Sequence, residues 1–325
     1  MSTRSELESA VANMVFLGNE RKTSLRKLAL ALRASPRETS DALHRLKRLG
    51  YPLRFSRAGA IERLPFRIID AQQLRADLST ERIGRRIEWR LHVHSTQDEL
   101  KKLEGEAEDG TVLLAETQYA GRGRLTRSWL SPAGGIWMSV LLRPTWPKSH
   151  QILALAFATA VARAIRAVAG VSPLLKWPND LVVQSRKIAG VLAEASYDGS
   201  KLNQLIVGLG LNANIKTTLF PEELQGRVTS INREVGREVD RILLTRRILE
   251  ETDDAYLRFE SGEASELLHE VKRLCSTVGQ EVEVTTVDGK FKGEALDIGE
   301  DGQLIVRLGN GATVPFYAAD VAHLR

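Results

Sequence analysis

Short apolar stretches alternate with polar or glycine-containing breaks through the middle of this chain. In the first stretch Ile87, Trp89, Leu91 and Val93 alternate with polar residues, which is the period of a half-buried β-strand. Further strands are predicted at 111–117, 135–143, 174–177, 181–184, 188–195 and 204–212, and an alanine-rich helix at 151–169. This succession predicts an α+β fold, with an antiparallel or mixed sheet that carries helices on one face.

The first 65 residues predict a smaller helical module. Ser35 can cap a helix, Pro36 suits its first position, and Glu38 completes a capping box. This helix follows another after a short break, which is the helix-turn-helix pattern. Apolar stretches at 53–55 and 61–64 predict a hairpin after it, so the module is predicted to be a winged helix.

Basic charge is concentrated in this module. Residues 1–65 hold thirteen Lys and Arg against six Asp and Glu, a net charge of +7, whereas the rest of the chain has a net charge of −2. Such asymmetry favours nucleic-acid binding. The candidate DNA contacts are Arg37, Thr39, Ser40, His44, Arg54 and Arg57. The alternative is a three-helix packing domain that touches no DNA.

Two central motifs concentrate side chains that bind anions. Residues 121–129 read Gly-Arg-Gly-Arg-Leu-Thr-Arg-Ser-Trp, and 176–180 read Lys-Trp-Pro-Asn-Asp, followed by Lys-Ile-Ala-Gly at 187–190. Arginine forks match phosphate and carboxylate oxygens, and glycines let a ligand approach the backbone. Taken singly, these features also fit a solvated basic loop, a hairpin-tip Lys187 and a plain turn at Asn212. Polar groups at four strand ends favour one shared site, because buried polar groups need partners.

Composition excludes several other classes of protein. The single cysteine, Cys275, cannot form an internal disulfide and is predicted to pack in the protein, so we expect a cytosolic protein. We expect no membrane span, because the longest nearly unbroken apolar run, 152–162, is shorter than the roughly 20 residues that a span needs. The N-terminus lacks the apolar core of a signal peptide. The six histidines show no metal-ligand spacing, and His92 and His94 are predicted to lie on a solvated strand face.

Together the motifs resemble those of bifunctional biotin protein ligases, which are also biotin-operon repressors. Three segments carry the resemblance: residues 121–129, called the Arg-Gly loop below, the Lys-Trp-Pro-Asn-Asp motif at 176–180, and Arg-Lys-Ile-Ala-Gly at 186–190. It implies a winged helix-turn-helix domain at 1–65, a class II synthetase-like catalytic domain at 66–275, and an SH3-like β-barrel at 276–325. Short apolar strands and glycine turns after residue 278 fit the last of these.

The resemblance also implies a two-step reaction with biotin, ATP and Mg²⁺. Biotin's carboxylate attacks the α-phosphate of ATP, which gives biotinyl-5′-AMP and pyrophosphate. A lysine of the biotin carboxyl carrier protein of acetyl-CoA carboxylase then takes the biotin group. Operator DNA and a second copy of the chain are the other implied partners.

Matching positions imply specific roles. The catalytic residues are Lys187, Arg124 and Asp180. The biotin-binding residues are Ser95, Thr96, Gln118, Arg122 and Lys187. The residues that bind ATP or the adenylate are Arg124, Arg127, Trp129, Asn179, Asn212 and Arg325, with Asn179 and Asn212 near the nucleotide and metal.

The chain departs from the family pattern at two places. Thr126 stands where the family usually has glycine, and because threonine resists positive φ we expect stiffer loop closure. The hairpin reads Arg-Ala-Gly-Ala at 57–60 instead of the usual Gly-Lys-Gly-Tyr. Two other functions are considered: a lipoate-attaching enzyme, which would need a long apolar tunnel, and a DNA-binding regulator that senses a ligand without ligating it.

Overall fold

The computed structural model describes residues 4–56, 59–103, 105–125, 127–145, 150–199, 201–317 and 319–324. Three residues with predicted roles, Arg57, Thr126 and Arg325, lie outside these ranges. The described part of the chain folds into three β-sheets and the helices that pack on them.

The N-terminal module contains three helices and a small antiparallel sheet. The helices are α1 (Arg4–Phe16), α2 (Leu25–Ala31) and α3 (Pro36–Arg48). The strands, in sheet order β1-β3-β2, are β1 (Lys22–Ser24), β2 (Leu53–Phe55) and β3 (Ala60–Arg63). The predicted capping box is confirmed: the Ser35 hydroxyl accepts from the Glu38 N–H, and the Glu38 carboxylate accepts from the Ser35 N–H at 2.9 Å.

The predicted DNA contact at Thr39 is wrong. Thr39 is fully buried, and its hydroxyl donates to the Ser35 carbonyl at 3.0 Å. It shares the inner face of α3 with Leu43 and Leu46, because residues three to four apart lie on one side of a helix. The other described candidates differ in accessibility: Ser40 is half-buried, and Arg37, His44 and Arg54 are exposed.

The module is docked on the central domain. Its apolar core continues into Leu91 and Ala133, and the Tyr51 hydroxyl donates to the Leu91 carbonyl at 2.6 Å. The predicted solvated position of His92 is wrong, because this side chain is buried between the module and the sheet. Its Nδ1 lies 2.7 Å from the Thr117 hydroxyl and its Nε2 lies 3.6 Å from the Glu8 carboxylate.

A seven-stranded mixed sheet forms the centre of the protein. Its order is β4-β5-β6-β10-β9-β8-β7, in which β4 and β5 are parallel and the other neighbours antiparallel. The strands are β4 (Ile87–Val93), β5 (Thr111–Gln118), β6 (Ile136–Leu142), β7 (Leu174–Lys176), β8 (Asp180–Val183), β9 (Arg186–Asp198) and β10 (Lys201–Leu211). The predicted mixed sheet is confirmed.

Helices cover both faces of this sheet, which corrects the prediction of one covered face. The helices are α4 (Ala71–Ala76), α5 (Thr96–Lys102), α6 (His150–Ala169), α7 (Glu222–Gln225), α8 (Ile231–Val235), α9 (Arg241–Glu260) and α10 (Ala264–Leu274). Leu113 packs with Leu100 of α5, whereas its neighbours on β5 pack in the main core with α6 and α9. Successive strand residues face opposite sides, so α5 covers the second face.

Among the described residues one helix, α6, is long and apolar enough to cross a membrane by length and composition. It lies in the protein core, where 67% of its most apolar 18-residue stretch is buried. Length and composition do not distinguish a buried core helix from a membrane-spanning helix, so α6 is weak evidence for a membrane span.

The C-terminal segment forms a five-stranded antiparallel sheet. Its strands, in the order β14-β13-β12-β11-β15, are β11 (Glu281–Thr286), β12 (Gly289–Ile298), β13 (Leu304–Leu308), β14 (Thr313–Phe316) and β15 (Asp320–His323). Val282 and Leu304 belong to the same apolar core as the central helices. The Trp177 indole donates to the Gly302 carbonyl at 2.9 Å, so the two parts are joined beside the 176–180 motif.

Candidate functional site

A cavity of about 290 Å³ lies at the carboxyl ends of β4 and β5. Val93 pairs with Gln118 where these parallel strands end. Parallel strands end at the same edge of a sheet, so the turn after β4 brings Ser95 and Thr96 beside Gln118. These three residues, which are among the five predicted to bind biotin, line the cavity.

Neutral polar groups form one wall of the cavity. Gln118 Oε1 accepts from the Thr96 backbone N–H at 2.7 Å, and Gln118 Nε2 donates to the Ser131 hydroxyl at 2.8 Å. The Thr96 hydroxyl lies 2.7 Å from that of Ser139. These bonds fix the orientation of the Gln118 amide. A wall of fixed hydroxyl and amide groups suits a neutral polar ligand.

Two glycines on neighbouring strands support the indole of Trp129. Gly190 of β9 pairs with Gly210 of β10. A Cβ atom at residue 210 would lie 2.4 Å from Trp129 Cε2, and one at residue 190 would lie 3.1 Å from Trp129 Cζ3. Because side-chain carbons do not approach to 2.4 Å, only glycine at 210 permits this position of the ring. The backbone of both strands therefore sets where the aromatic platform lies.

Lys187 is held between that ring and a carboxylate. Its Nζ lies 4.7 Å from the centroid of the Trp129 ring and 2.6 Å from Asp180 Oδ1. The hairpin turn is formed by Gln184 and Ser185, which have positive φ, whereas Lys187 lies within β9 and lines the cavity. The hairpin-tip alternative is therefore excluded. The cation–π contact and the ion pair together fix the ammonium group.

Arg122, at the start of the 121–129 loop, is paired with two carboxylates. Its Nη1 donates to Glu194 Oε1 at 2.9 Å, its Nη2 donates to the other Glu194 oxygen, and Nη2 lies 3.1 Å from Asp98 Oδ1. The residue lines the cavity as predicted. Its terminal nitrogens, however, are already bound to the protein.

Arg124 and Arg127 reach from the same loop to the start of β15. Arg124 Nη1 donates to the Ala319 carbonyl at 3.1 Å, and Arg127 forms an ion pair with Asp320. Burial lowers the pKa of Arg124, while the carboxylates of Asp320 and Asp180 act in the opposite direction. Both arginines line the cavity, so the C-terminal sheet and the loop close one side of it together.

The two predicted asparagines differ in position. Asn179 lines the cavity, and its Nδ2 donates to the Val191 carbonyl at 2.8 Å. Asn212 is outside the cavity lining; it is 2% exposed, and its Nδ2 donates to the Thr229 carbonyl at 2.9 Å. Its Oδ1 is buried without a hydrogen-bond partner among the described residues. A role for Asn212 near the nucleotide remains a prediction.

Several lining residues were not predicted from the sequence. Gln97 donates from Nε2 to the Leu192 carbonyl at 3.2 Å, and its amide packs against Gly208. Asp320 and Val321 complete the lining from the far end of the chain. The strand glycines could have been recognised from the sequence, since glycine inside a strand often marks close approach of a ligand or side chain. Nothing in the local sequence marks Asp320.

Comparison with known proteins finds family matches over two parts of the chain. The Biotin/lipoate A/B protein ligase family matches residues 89–212, and the Biotin protein ligase C terminal domain matches residues 277–324. The first match holds the neutral wall, the Arg-Gly loop and Lys187, and the second holds Asp320.

One relative extends the match to nearly the whole chain. The bifunctional ligase/repressor BirA of Bacillus spizizenii is 31% identical, over 98% of this chain and 99% of the relative. The biotin–[acetyl-CoA-carboxylase] ligase of Mycobacterium tuberculosis is 34% identical over 67% of this chain and 80% of its own. A structure of the biotin protein ligase from Aquifex aeolicus in complex with biotin and ATP superposes with a TM-score of 0.66 at 30% identity, covering 74% of this chain and 99% of that one. The chain belongs to the biotin protein ligase family.

Proposed function

We propose that this protein forms biotinyl-5′-AMP from biotin and ATP and transfers the biotin group to a lysine of a carrier protein. The observation that carries the proposal is the position of the Lys187 ammonium, between the Trp129 ring and Asp180 in a cavity with a neutral polar wall. Such a cavity accommodates a neutral ring at one end and negative charge at the other. A relative crystallised with biotin and ATP supports this assignment.

In the first step a carboxylate oxygen of biotin bonds to the α-phosphorus of ATP and pyrophosphate leaves. Two anions must meet, and negative charge builds on the phosphoryl oxygens in the transition state. Lys187 and Arg124 supply compensating positive charge at the cavity. Thr96 and Gln118 hold the ureido ring of biotin, because hydroxyl and amide groups hydrogen-bond a neutral urea. Trp129 offers the flat surface on which adenine stacks.

Mg²⁺ would enter with the phosphates of ATP. The described residues contain no group of three or more His, Cys, Asp or Glu that could hold a metal, so the phosphates would supply most of the oxygen ligands. The chain's own candidates are the side-chain oxygens of Asn179, which lines the cavity, and of Asn212, which lies outside its lining and whose Oδ1 has no hydrogen-bond partner among the described residues. The ion would neutralise phosphate charge.

In the second step the amine of the carrier lysine attacks the carbonyl carbon of biotinyl-5′-AMP, and AMP leaves. A free lysine has a pKa of about 10.4, so the incoming amine must lose a proton to react. Asp180, which lines the cavity, would orient the amine and accept that proton. Closure of the 121–129 loop would keep water from the anhydride. The name of the mycobacterial relative supports the biotin carboxyl carrier protein of acetyl-CoA carboxylase as the acceptor.

We also infer that residues 1–65 are a winged helix domain that binds operator DNA, followed by a catalytic domain at 66–275 and an SH3-like barrel at 276–325. The exposed Arg37, His44 and Arg54, with the excess of basic charge, support DNA binding. The relative named as a ligase/repressor supports it too. A two-fold operator would require a homodimer, and the single cysteine supports a cytosolic location.

One assay tests the enzymatic proposal against its alternatives. The purified chain is incubated with ATP, Mg²⁺ and either biotin or lipoate, and both the acyl-adenylate and labelled carrier protein are measured. We expect both products in the incubation with biotin and neither in the incubation with lipoate. Products with lipoate alone would assign the chain to lipoate attachment, and no adenylate with either would refute ligation.

The DNA-binding proposal has a separate test. Deletion of residues 1–65 should retain ligation and abolish an electrophoretic shift of operator DNA. The full-length shift should weaken steeply with salt, because phosphate contacts release counterions. A truncated chain that still shifts DNA would overturn the assignment of the N-terminal domain.

A further inference from the structure

Glu194 lies outside the cavity lining and has no role in the proposed chemistry, but it binds Arg122, which does line the cavity. It lies on β9, four residues after Gly190, and is 28% exposed. Both of its carboxylate oxygens accept from the Arg122 guanidinium, a fork-on-fork pair with defined geometry. Glu194 therefore links the sheet that bears Lys187 to the start of the Arg-Gly loop.

Asp98 holds the same guanidinium from another element. It lies in the first turn of α5, and its Oδ1 is 3.1 Å from Arg122 Nη2. Its other oxygen lies 2.9 Å from His94 Nδ1. Lys101 of the same helix has its Nζ 3.3 Å from a Glu194 carboxylate oxygen. Arg122 is thus fixed by two carboxylates, on two elements that both contribute residues to the cavity.

This arrangement changes what Arg122 can offer a ligand. Both terminal nitrogens contact carboxylates, so the fork is not free to bind a phosphate or a second carboxylate. Its Nε is buried and has no hydrogen-bond partner among the described residues. A guanidinium Nε carries one N–H donor. Arg122, which lines the cavity, therefore keeps a buried Nε–H donor that no described residue occupies.

We propose that Glu194, assisted by Asp98, is a positioning residue for biotin recognition, which acts by fixing Arg122 so that its Nε–H meets an acceptor oxygen of biotin. The inference rests on the proposed ligase function. Because Arg122 is held by protein carboxylates before biotin binds, its side chain need not be ordered at binding, and the benefit is affinity for biotin. The phosphoryl-transfer step gains nothing directly from this contact.

The test is Glu194→Gln, which preserves shape and removes the charge. We expect the KM for biotin in adenylate formation to rise about tenfold, with kcat and the KM for ATP within twofold of the unmodified chain. Asp98→Asn should raise the same constant by a smaller factor, because Asp98 contacts one nitrogen only. Glu99→Gln is the matched control: this neighbouring carboxylate pairs with Lys102 at 2.6 Å, away from Arg122, and its loss should leave all constants within twofold.

A double mutant separates positioning from a merely structural role. If Glu194 acts through Arg122, Glu194→Gln should add nothing to the effect of Arg122→Gln. The inference is overturned if Glu194→Gln leaves the KM for biotin within twofold, if it lowers kcat in parallel, or if the two effects multiply. Failure of the proposed function is distinct, since the unmodified chain would then form no adenylate.

Discussion

Glu116→Gln should destabilise the protein more than the loss of one partner of an exposed ion pair does. Glu116 lies on β5 with a fully buried side chain, and its Oε1 is 2.5 Å from Nη1 of Arg241, at the start of α9 and 6% exposed. Its two oxygens also accept from the Gly134 and Ile69 N–H groups at 3.4 Å. The pair therefore joins the central sheet, α9 and the segment that leads from the N-terminal module.

The size of the effect follows from burial. Removing one partner of a buried ion pair costs about 3–5 kcal/mol, because the remaining charge stays out of water without compensation. Glutamine keeps a hydrogen-bond acceptor, and Arg241 keeps the Gly135 carbonyl at 3.0 Å, so we expect a loss near the lower limit, about 3 kcal/mol. At about 2–4 °C per kcal/mol for larger domains, the melting temperature should fall by roughly 6–12 °C.

Urea unfolding followed by far-UV circular dichroism measures this loss. Replacing both residues, Glu116→Met with Arg241→Met, should recover most of it, because an apolar pair carries no desolvation penalty. Glu20→Gln breaks an exposed pair with Lys27 at 2.6 Å and should have no measurable effect. A loss below about 1 kcal/mol for Glu116→Gln, or a double variant less stable than the single one, would refute the reasoning.

Three further predictions concern the site and the domain contact. Lys187→Ala should lower adenylate formation at least about a hundredfold, as loss of a single transition-state charge contact does, with an unchanged unfolding midpoint; near-normal pyrophosphate release would remove Lys187 from the mechanism. Gly210→Ala places a Cβ 2.4 Å from the Trp129 ring, so the ring must move and the KM for ATP should rise more than that for biotin; equal effects on both would contradict an adenine platform. Burial by itself raises the pKa of Glu8, but its hydrogen bond with His92 and the charge of Arg45 outweigh burial and lower that pKa below the ordinary 4.5. The stabilisation that Glu8 contributes to docking of the N-terminal module is therefore complete above pH 4.5 and is lost as the pH falls through the lower pKa of the folded protein. The free energy of unfolding, measured as a function of pH, should show this loss in the unmodified chain and not in Glu8→Gln.

Local patterns predicted much of the framework correctly. The Ser35 capping box, the alternation over β4 and the apolar helix α6 depend on interactions within a few residues, and all three are present. The strand β1 was missed because its three residues, Lys-Thr-Ser, include no apolar side chain that would mark a buried face. Thr39 was misassigned because a polar residue type was taken as exposed, whereas a threonine hydroxyl can bond to its own helix and be buried.

The site divides in the same way. The motifs identified Lys187 and Trp129, and the family resemblance identified Gln118, as residues of one site, because each assignment depends on residues near one another along the chain. The pairing of Arg122 with Glu194 and Asp98 joins a loop, a strand and a helix. No local pattern links those positions, because their separation in sequence is unrelated to their distance in space.

The sequence by itself determined which side chains are available for binding and which segments become helix or strand, because those properties depend on residue type and neighbours along the chain. Only the tertiary structure decided which charges are free. Arg124 and Arg127 contact residues 319–320, and His92 is buried against the N-terminal module, through packing between segments far apart in the chain. Charge and solvation depend on whatever surrounds a group in space, so these partners emerge only when the sheets and helices are assembled.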